Sequence, residues 1–129
     1  MQKSKDEEYT IDLGQEWEVD LFRPGDADGV VKLLLSVYGK GYPIKTYIDP
    51  ELLIRENATG RTISSVARTP RGDIVGHLAL FCRTLYEGIP EGGAGVVHMN
   101  YRGGQGILTK LAVHSIQEGA KRFGVEVDR

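Results

Sequence analysis

A single cysteine, Cys82, occurs among the 129 residues of the sequence. One cysteine excludes an internal disulfide framework and a zinc site built from several cysteines, and it favours a reducing cytoplasmic compartment. No apolar run approaches the roughly 18 residues that a transmembrane helix needs. The first residues, MQKSKDEE, contain no apolar stretch, so we expect no signal peptide there.

A strong excess of charge of either sign is also missing. The sequence has 16 Lys and Arg residues and 18 Asp and Glu residues, for a formal net charge of −2. This balance gives no electrostatic reason to expect a nucleic acid or an anionic membrane as partner. The length suits one domain with one core. Residues 1 to about 15 are polar and mixed in charge, which predicts a mobile tail before a domain over residues 16–129.

The spacing of apolar residues predicts the order strand, helix, helix, strand, strand, strand, helix and the start of a further strand. Asp26 or Asp28 is a candidate cap for the first helix, and Asp49 followed by Pro50 is typical of the start of the second. The almost continuously apolar segment 74–82 indicates a central strand covered on both faces. The elements are predicted at residues 17–22, 30–38, 50 to 57–60, 62–68, 74–82, the second half of 91–99, 107–123 and 125–127.

The last predicted helix has an apolar face and ends before Gly124, a residue suited to stopping a helix. Seven apolar residues at helical spacing are expected to form its buried face. They are Ile107, Leu108, Leu111, Ala112, Ile116, Ala120 and Phe123.

Glycine is the residue in excess, and it is concentrated before this helix. Of 17 glycines, 7 lie between Gly88 and Gly106, and the densest group joins a predicted strand to the helix. Glycine lets backbone N–H groups approach a ligand closely, and the first turn of a helix adds unpaired N–H donors and the positive end of its dipole. The pattern predicts a site for a phosphate or pyrophosphate.

Two common phosphate-binding motifs do not fit this loop. A P-loop needs Gly-Lys followed by Ser or Thr, whereas here Lys110 follows Thr109. The dinucleotide fingerprint would use Gly104 and Gly106, but Thr109 stands in place of its third glycine. A nucleotide-binding α/β fragment therefore stays only a weaker alternative.

The segment Val97–Ile107, VHMNYRGGQGI, resembles the acetyl-CoA-binding motif of the GNAT acyltransferase superfamily. In that family a run similar to V-x-P-x-Y-R-G-x-G-[IL]-G joins the fourth strand to a helix. Residues 74–77, IVGH, and residues 120–124, AKRFG, are also similar to the family, and the resemblance covers about residues 17–127. It implies an α/β (α+β) fold with a mixed central sheet flanked by helices. It also implies transfer of an acyl group from acetyl-CoA to a primary amine.

The sequence departs from the family pattern in four places. Met99 replaces a frequent proline, the loop has one extra residue (Gly104 or Gln105), and Leu108 replaces a small residue. The family fold also continues further than this chain, with a helix that carries a tyrosine acid. The resemblance thus implies the N-terminal part of the domain, either truncated after its motif helix or completed by a further segment or a second copy.

The resemblance implies roles for particular residues. The pyrophosphate of coenzyme A would meet the loop, and a backbone N–H near Val96 or Val97 would meet the thioester oxyanion. Glu91 is the candidate base, with Glu87 as a rival, and a solvated loop glutamate is the alternative. The loop residues implied for the cofactor are Arg102, Gly103, Gly104, Gln105, Gly106 and Ile107.

Several side chains have both a functional and a packing interpretation. Tyr38, Tyr42 and Tyr47 flank the region that shapes the acceptor site in the family, and ordinary aromatic packing is the alternative. Arg102 is either a phosphate contact or a solvent-facing loop residue. The acceptor stays open between a small molecule and a peptide. The alternative function is a non-catalytic acyl-CoA-binding or interaction module.

The remaining candidates favour packing. For His98 a contact with the cofactor is the alternative, and a strand position with a satisfied ring is favoured; Cys82 is expected in a buried strand. His77 and His114 are widely spaced, so no metal site is expected.

Overall fold

Four antiparallel strands form the sheet in this computed structural model, which describes residues 11, 14–43, 45–81, 91–102 and 106–123. The strands follow one another across the sheet in chain order, and each pairs antiparallel with its neighbour. A mixed sheet was expected, whereas the described strands are all antiparallel; the predicted strand at 125–127 lies outside the described residues. The strands are β1 (Glu18–Leu21), β2 (Thr62–Arg68), β3 (Ile74–Phe81) and β4 (Glu91–Val97).

Three helices flank the sheet: α1 (Ala27–Tyr38), α2 (Pro50–Thr59) and α3 (Ile107–Phe123). The predicted start of α2 is confirmed, because the Asp49 carboxylate accepts hydrogen bonds from the backbone N–H groups of Glu51 and Leu52. In the described part of the chain, no helix is long and apolar enough to span a membrane.

Helix α1 begins three residues before the predicted start. Asp26 occupies the cap position, but its side chain does not cap the helix. The carboxylate instead accepts from the backbone N–H of Arg23 and pairs with the guanidinium of Arg68. The Asp26 and Arg68 side chains are 7% and 13% exposed, so this ion pair fixes the start of α1 to the end of β2.

The helices divide between the two faces of the sheet. Adjacent residues of β2 point to opposite faces, and Val66 packs with α1 and α2 whereas Ala67 packs with α3. Strand β3 is covered on both faces as predicted, because Ala79 belongs to the first cluster and Val75 to the second.

The predicted buried face of α3 is partly wrong. Leu108 and Ile116 are 51% and 54% exposed. The buried residues instead recur every fourth position: Ile107, Leu111, Ser115 and Gly119. Small or polar residues occupy the second half of this stripe because the helix lies close to the sheet there. A Cβ on Gly119 would lie 2.9 Å from Leu80 Cδ1, and the Ser115 hydroxyl donates to Ser65 Oγ over 3.0 Å.

The described part of the predicted tail packs on the domain. Ile11 is 2% exposed in the cluster beneath α3, and the backbone N–H of Gln15 donates to the hydroxyl of Tyr101 over 3.2 Å. The packed domain therefore includes Ile11, earlier than the predicted boundary at residue 16. Residues 1–10 lie outside the described part of the chain.

Candidate functional site

Strand β4 contains a β-bulge opposite β3. His77 pairs with Val96 while Ala79 pairs with Gly93, so β4 uses one more residue than β3 over this stretch. Ala94 within the bulge has a φ of 52°, the left-handed conformation that residues other than glycine seldom adopt. The bulge therefore bends the exposed edge of the described sheet at Ala94 and Gly95.

Side chains from two other elements bind the carbonyl groups of the bulge. The ring Nδ1 of His77, on β3, lies 2.9 Å from Ala94 O. The hydroxyl of Tyr38, at the end of α1, donates to Gly95 O over 2.8 Å. The bulge is thus held from two sides, although its backbone leaves the regular pairing of the sheet.

The backbone N–H and C=O groups of Val97 point away from β3. The next residue, His98, donates its N–H to Val75 O over 2.8 Å, and residues of an antiparallel strand bond alternately toward and away from their partner. The Val97 carbonyl accordingly accepts a hydrogen bond from Arg102 Nε over 3.0 Å rather than from β3. The N–H of Val97 lies on the same outer side, while that of Val96 is directed toward β3.

A cavity of about 310 Å³ separates β4 from the start of α3. Its wall is mainly apolar, with a polar end at Arg102 and the first turn of the helix. The residues that line it are Tyr38, Gly95, Val96, Val97, Tyr101, Arg102, Gly106, Ile107, Leu108 and Thr109. Five of the residues predicted for the cofactor thus meet at one cavity: Val96, Val97, Arg102, Gly106 and Ile107.

The polar end of the cavity is suited to an anion. Gly106 has a φ of 69°, and its carbonyl accepts the N–H of Lys110, so α3 begins directly after it. The N–H groups of the first turn have no partner within the helix, and the helix dipole is positive at this end. Arg102 is exposed beside them; its Nε donates to Val97 O, and the N–H groups of its terminal nitrogens are further donors that can bind a ligand. Gly103, Gly104 and Gln105 lie outside the described residues.

The three tyrosines predicted near an acceptor do not share one environment. Tyr38 lines the cavity and is 50% exposed, and the ring of Tyr42 lies 5.3 Å from it. Partial burial raises the pKa of Tyr42 above its ordinary value. Tyr47 is fully buried against His77 and Phe81. Tyr47 therefore has the packing role, and its assignment to the acceptor site is not supported.

Of the two candidate bases, Glu91 belongs to the described part of the chain and Glu87 does not. Glu91 is the first residue of β4, and its backbone pairs with that of Phe81. Its side chain is not part of the described structure. Glu87 and Cys82 lie outside the described residues altogether.

The three histidines are satisfied by protein groups. His98 is 7% exposed, and its Nδ1 accepts the N–H of Asn100, although the residue follows β4 rather than lying within it. The Nδ1 of His114 lies 2.7 Å from Ser65 Oγ. Complete burial lowers the pKa of His77 to about 4, so its ring is neutral. No cluster suited to a metal ion occurs among the described residues.

The sequence pattern missed the role of His77. His77 lies in an apolar strand and in the segment IVGH, but neither pattern indicates its partner Ala94, which lies 17 residues later within the bulge. The glycines around Ala94 were assigned to a loop and the start of a strand, whereas β4 includes all of residues 91–97.

Comparison with solved structures identifies the fold. An acetyltransferase from Trypanosoma brucei matches with a TM-score of 0.63 and 20% identity, over 88% of this chain and 83% of its own. A GNAT-family acetyltransferase from Staphylococcus aureus gives 0.64 and 19%, over 83% and 68%. The GNAT-family N-acetyltransferase YhbS from Escherichia coli, in complex with CoA, gives 0.58 and 20%, over 91% and 63%. No protein-family model and no curated protein matches the chain. The chain thus has the GNAT fold, as the sequence motif predicted.

Proposed function

We propose that this chain binds acetyl-CoA and transfers its acetyl group to a primary amine. The observation that carries the proposal is the cavity between the β4 edge and the first turn of α3, with Arg102 at its polar end. The GNAT fold of the chain and the CoA bound to YhbS support the same cofactor.

The residues present suit both ends of such a cofactor. The first-turn N–H groups of α3 and the terminal nitrogens of Arg102 are donors for a pyrophosphate. The loop residues Gly103, Gly104 and Gln105 would complete this cradle on the basis of the motif. The apolar wall at Val96, Ile107 and Leu108 suits the chain that leads to the thioester.

The thioester supplies an activated acetyl group, because its C–S bond breaks when an amine nitrogen attacks the carbonyl carbon. Two protein groups would act at this thioester. The outward N–H of Val97 would donate to the carbonyl oxygen, where negative charge develops. The Glu91 carboxylate would accept the proton that the amine loses. The departing thiolate would take up a proton from water, which gives free coenzyme A as the second product.

The acceptor amine would enter beside Tyr38, which lines the cavity, and Tyr42, whose ring centroid lies 5.3 Å from that of Tyr38. Their rings offer an apolar wall with hydroxyl groups, a surface that accepts many amines. Small-molecule and peptide amines are both compatible with it.

A calorimetric titration with acetyl-CoA tests the cofactor. We expect saturable binding, and about tenfold weaker binding after Arg102→Gln, because charge-assisted hydrogen bonds to phosphate are lost. Lys110→Gln is the matched control, since it removes one positive charge from the first turn of α3, where the Lys110 Nζ lies 5.0 Å from the ring centroid of Trp17. Absence of binding by a chain that circular dichroism shows to be folded would overturn the proposal.

A non-catalytic acyl-CoA-binding module is the second candidate. Leu108 favours it, because this 51% exposed side chain lines the cavity where the family has a small residue. Binding of acetyl-CoA without release of free thiol, across a panel of primary amines, would support the module over the enzyme.

A further inference from the structure

A chain of hydrogen bonds, fully buried at Ser64 and His77, crosses the sheet and ends at the β4 bulge. It begins on α2, where Asn57 Nδ2 donates to Ser64 Oγ over 3.2 Å. Ser64 Oγ lies 2.9 Å from His77 Nε2, and His77 Nδ1 lies 2.9 Å from Ala94 O. Ser64 and His77 have no exposed surface. Four consecutive elements, α2, β2, β3 and β4, are thereby linked through side chains.

Each hydrogen bond in this chain has one possible direction. Ala94 O can only accept, so Nδ1 of His77 carries the ring proton. The ring is neutral, so Nε2 accepts the hydroxyl proton of Ser64. The Ser64 oxygen then accepts from Asn57, whose amide is itself fixed by Leu53 O at 3.0 Å and by the Ser64 N–H at 2.9 Å. The tautomer and orientation of His77 are therefore determined by its neighbours.

A buried polar chain is a costly way to fill an interior that apolar residues fill well. Each of its groups loses water on folding, and the net gain from a hydrogen bond is small. The chain ends at Ala94, whose left-handed φ is itself unfavourable for a residue with a Cβ. The next residues, Gly95 to Val97, line the cavity. The polar chain therefore stabilises a strained backbone at the wall of the site.

We propose that His77 is a positioning residue, which holds the β4 bulge so that the outward N–H of Val97 is aligned with a thioester carbonyl in the cavity. This inference rests on the proposed function. His77 itself is fully buried, so it acts only through Ala94 and the backbone that follows. Tyr47, whose ring centroid lies 5.7 Å from that of His77, closes the apolar surroundings of the ring.

The test compares two neighbouring serines. Ser64 and Ser65 are both fully buried on β2, and both hydroxyl groups bond a histidine. Ser64 bonds His77, whereas Ser65 bonds His114 on the opposite face. Ser64→Ala should thus disturb the bulge, while Ser65→Ala removes an equivalent buried hydroxyl without touching it.

The measurement is the ratio of affinities for acetyl-CoA and for S-ethyl-CoA, a thioether that lacks the carbonyl oxygen. One hydrogen bond to the carbonyl should make acetyl-CoA bind about fivefold more tightly to the unmodified chain. We expect Ser64→Ala to reduce this preference toward unity and Ser65→Ala to retain it. A loss of folding stability alone would leave the ratio of affinities unchanged in both variants.

A second pair of variants covers the case in which Ser64→Ala does not fold. The amide nitrogen of asparagine takes the place of His Nδ1, and that of glutamine takes the place of Nε2. His77→Asn should therefore retain the preference for acetyl-CoA, and His77→Gln should lose it. An equal preference in the unmodified chain, Ser64→Ala and His77→Gln would overturn the positioning role while leaving acetyl-CoA binding intact. If neither ligand binds the unmodified chain, the proposed function fails first.

Discussion

The hydroxyl of Tyr38 donates to the carbonyl oxygen of Gly95 over 2.8 Å, which joins the C-terminal end of α1 to the bulge of β4. The two residues are 57 positions apart in the sequence. Tyr38 is half exposed and lines the cavity, so this bond fixes the α1 wall of the candidate site to β4. Any movement of the end of α1 is thus coupled to the backbone that faces the cavity.

Replacing Tyr38 with phenylalanine should lower the free energy of unfolding by about 1 kcal/mol, the net value of one neutral hydrogen bond. Urea denaturation measures the change. Tyr42→Phe is the control, because the Tyr42 hydroxyl has no hydrogen bond among the described residues and its ring packs beside Tyr38. Equal stability of both variants would show that the Tyr38 hydroxyl contributes nothing beyond its ring.

Local sequence signals predicted the elements well. Asp49 and Pro50 mark the start of α2, and Gly60 follows its end in the left-handed conformation. The turn between β2 and β3 closes with Thr69 and Gly72, whose backbone groups bond over 2.9 Å. These features depend on interactions within a few residues, so the sequence pattern contains them. Strand β2 accordingly has the predicted bounds.

Features that depend on contacts between residues far apart in the sequence were harder to predict. The buried face of α3 was predicted from hydrophobicity, but Ser115 is buried and Ile116 exposed because Ser65 supplies a polar partner across the interface. The bulge at Ala94 arises from pairing with β3, and no residue type specifies it. The phosphate loop stays a prediction, which the sequence could offer because its glycines and the following helix are contiguous. The His77 chain could not, since its four residues come from four elements.

Gly76 lets α3 lie against β3 at the start of the helix. A Cβ at this position would lie 2.8 Å from Ile107 Cγ2 and 3.1 Å from Leu111 Cδ1. Gly76→Ala should therefore destabilise the fold by about 1–3 kcal/mol through overpacking. It should also weaken acetyl-CoA binding, because the displaced first turn of α3 carries the proposed phosphate donors.

Gly25→Ala provides the comparison for Gly76. No atom lies within 4 Å of a Cβ built at Gly25, and the φ of Gly25 is not positive. The free energy of unfolding of Gly25→Ala should therefore differ from that of the unmodified chain by less than about 0.5 kcal/mol. Denaturation and calorimetric titration of both variants check the two effects. If Gly76→Ala binds acetyl-CoA as tightly as Gly25→Ala does, contact with β3 does not position the phosphate donors.

His77 should make stability depend on pH below neutrality. Its pKa is about 4 in the folded chain, against an ordinary value of 6.5. Between these values the unfolded chain binds more protons, so the free energy of unfolding falls as the pH is lowered from about 6.5 toward 4. The full loss is about 3 kcal/mol, because one pKa unit corresponds to about 1.4 kcal/mol.

Urea denaturation at pH 7, 5.5 and 4.5 measures this dependence, with His77→Gln as the comparison. The variant should be less stable at pH 7 and should lose less stability on acidification. Asp20 does not interfere in this range, because its hydrogen bond to Arg68 lowers its pKa, and its contribution is lost only below its ordinary value of 3.8. Parallel pH profiles for the two proteins would assign the acid sensitivity to other groups.

Glu91→Gln should slow amine acetylation without weakening acetyl-CoA binding. A positioned general base contributes roughly 10²-fold or more to a rate, and the amide of glutamine accepts no proton at neutral pH. Glu91 begins the strand whose far end lines the cavity, and the cofactor contacts proposed above do not involve its side chain. The kcat for thiol release from acetyl-CoA, with a panel of primary amines, should therefore fall at least about 10²-fold while the Kd for acetyl-CoA stays constant. Glu18→Gln on β1, at the opposite edge of the described sheet, makes the same change of charge and should retain the original rate. An unchanged rate in Glu91→Gln would remove Glu91 from the mechanism and direct the search to Glu87.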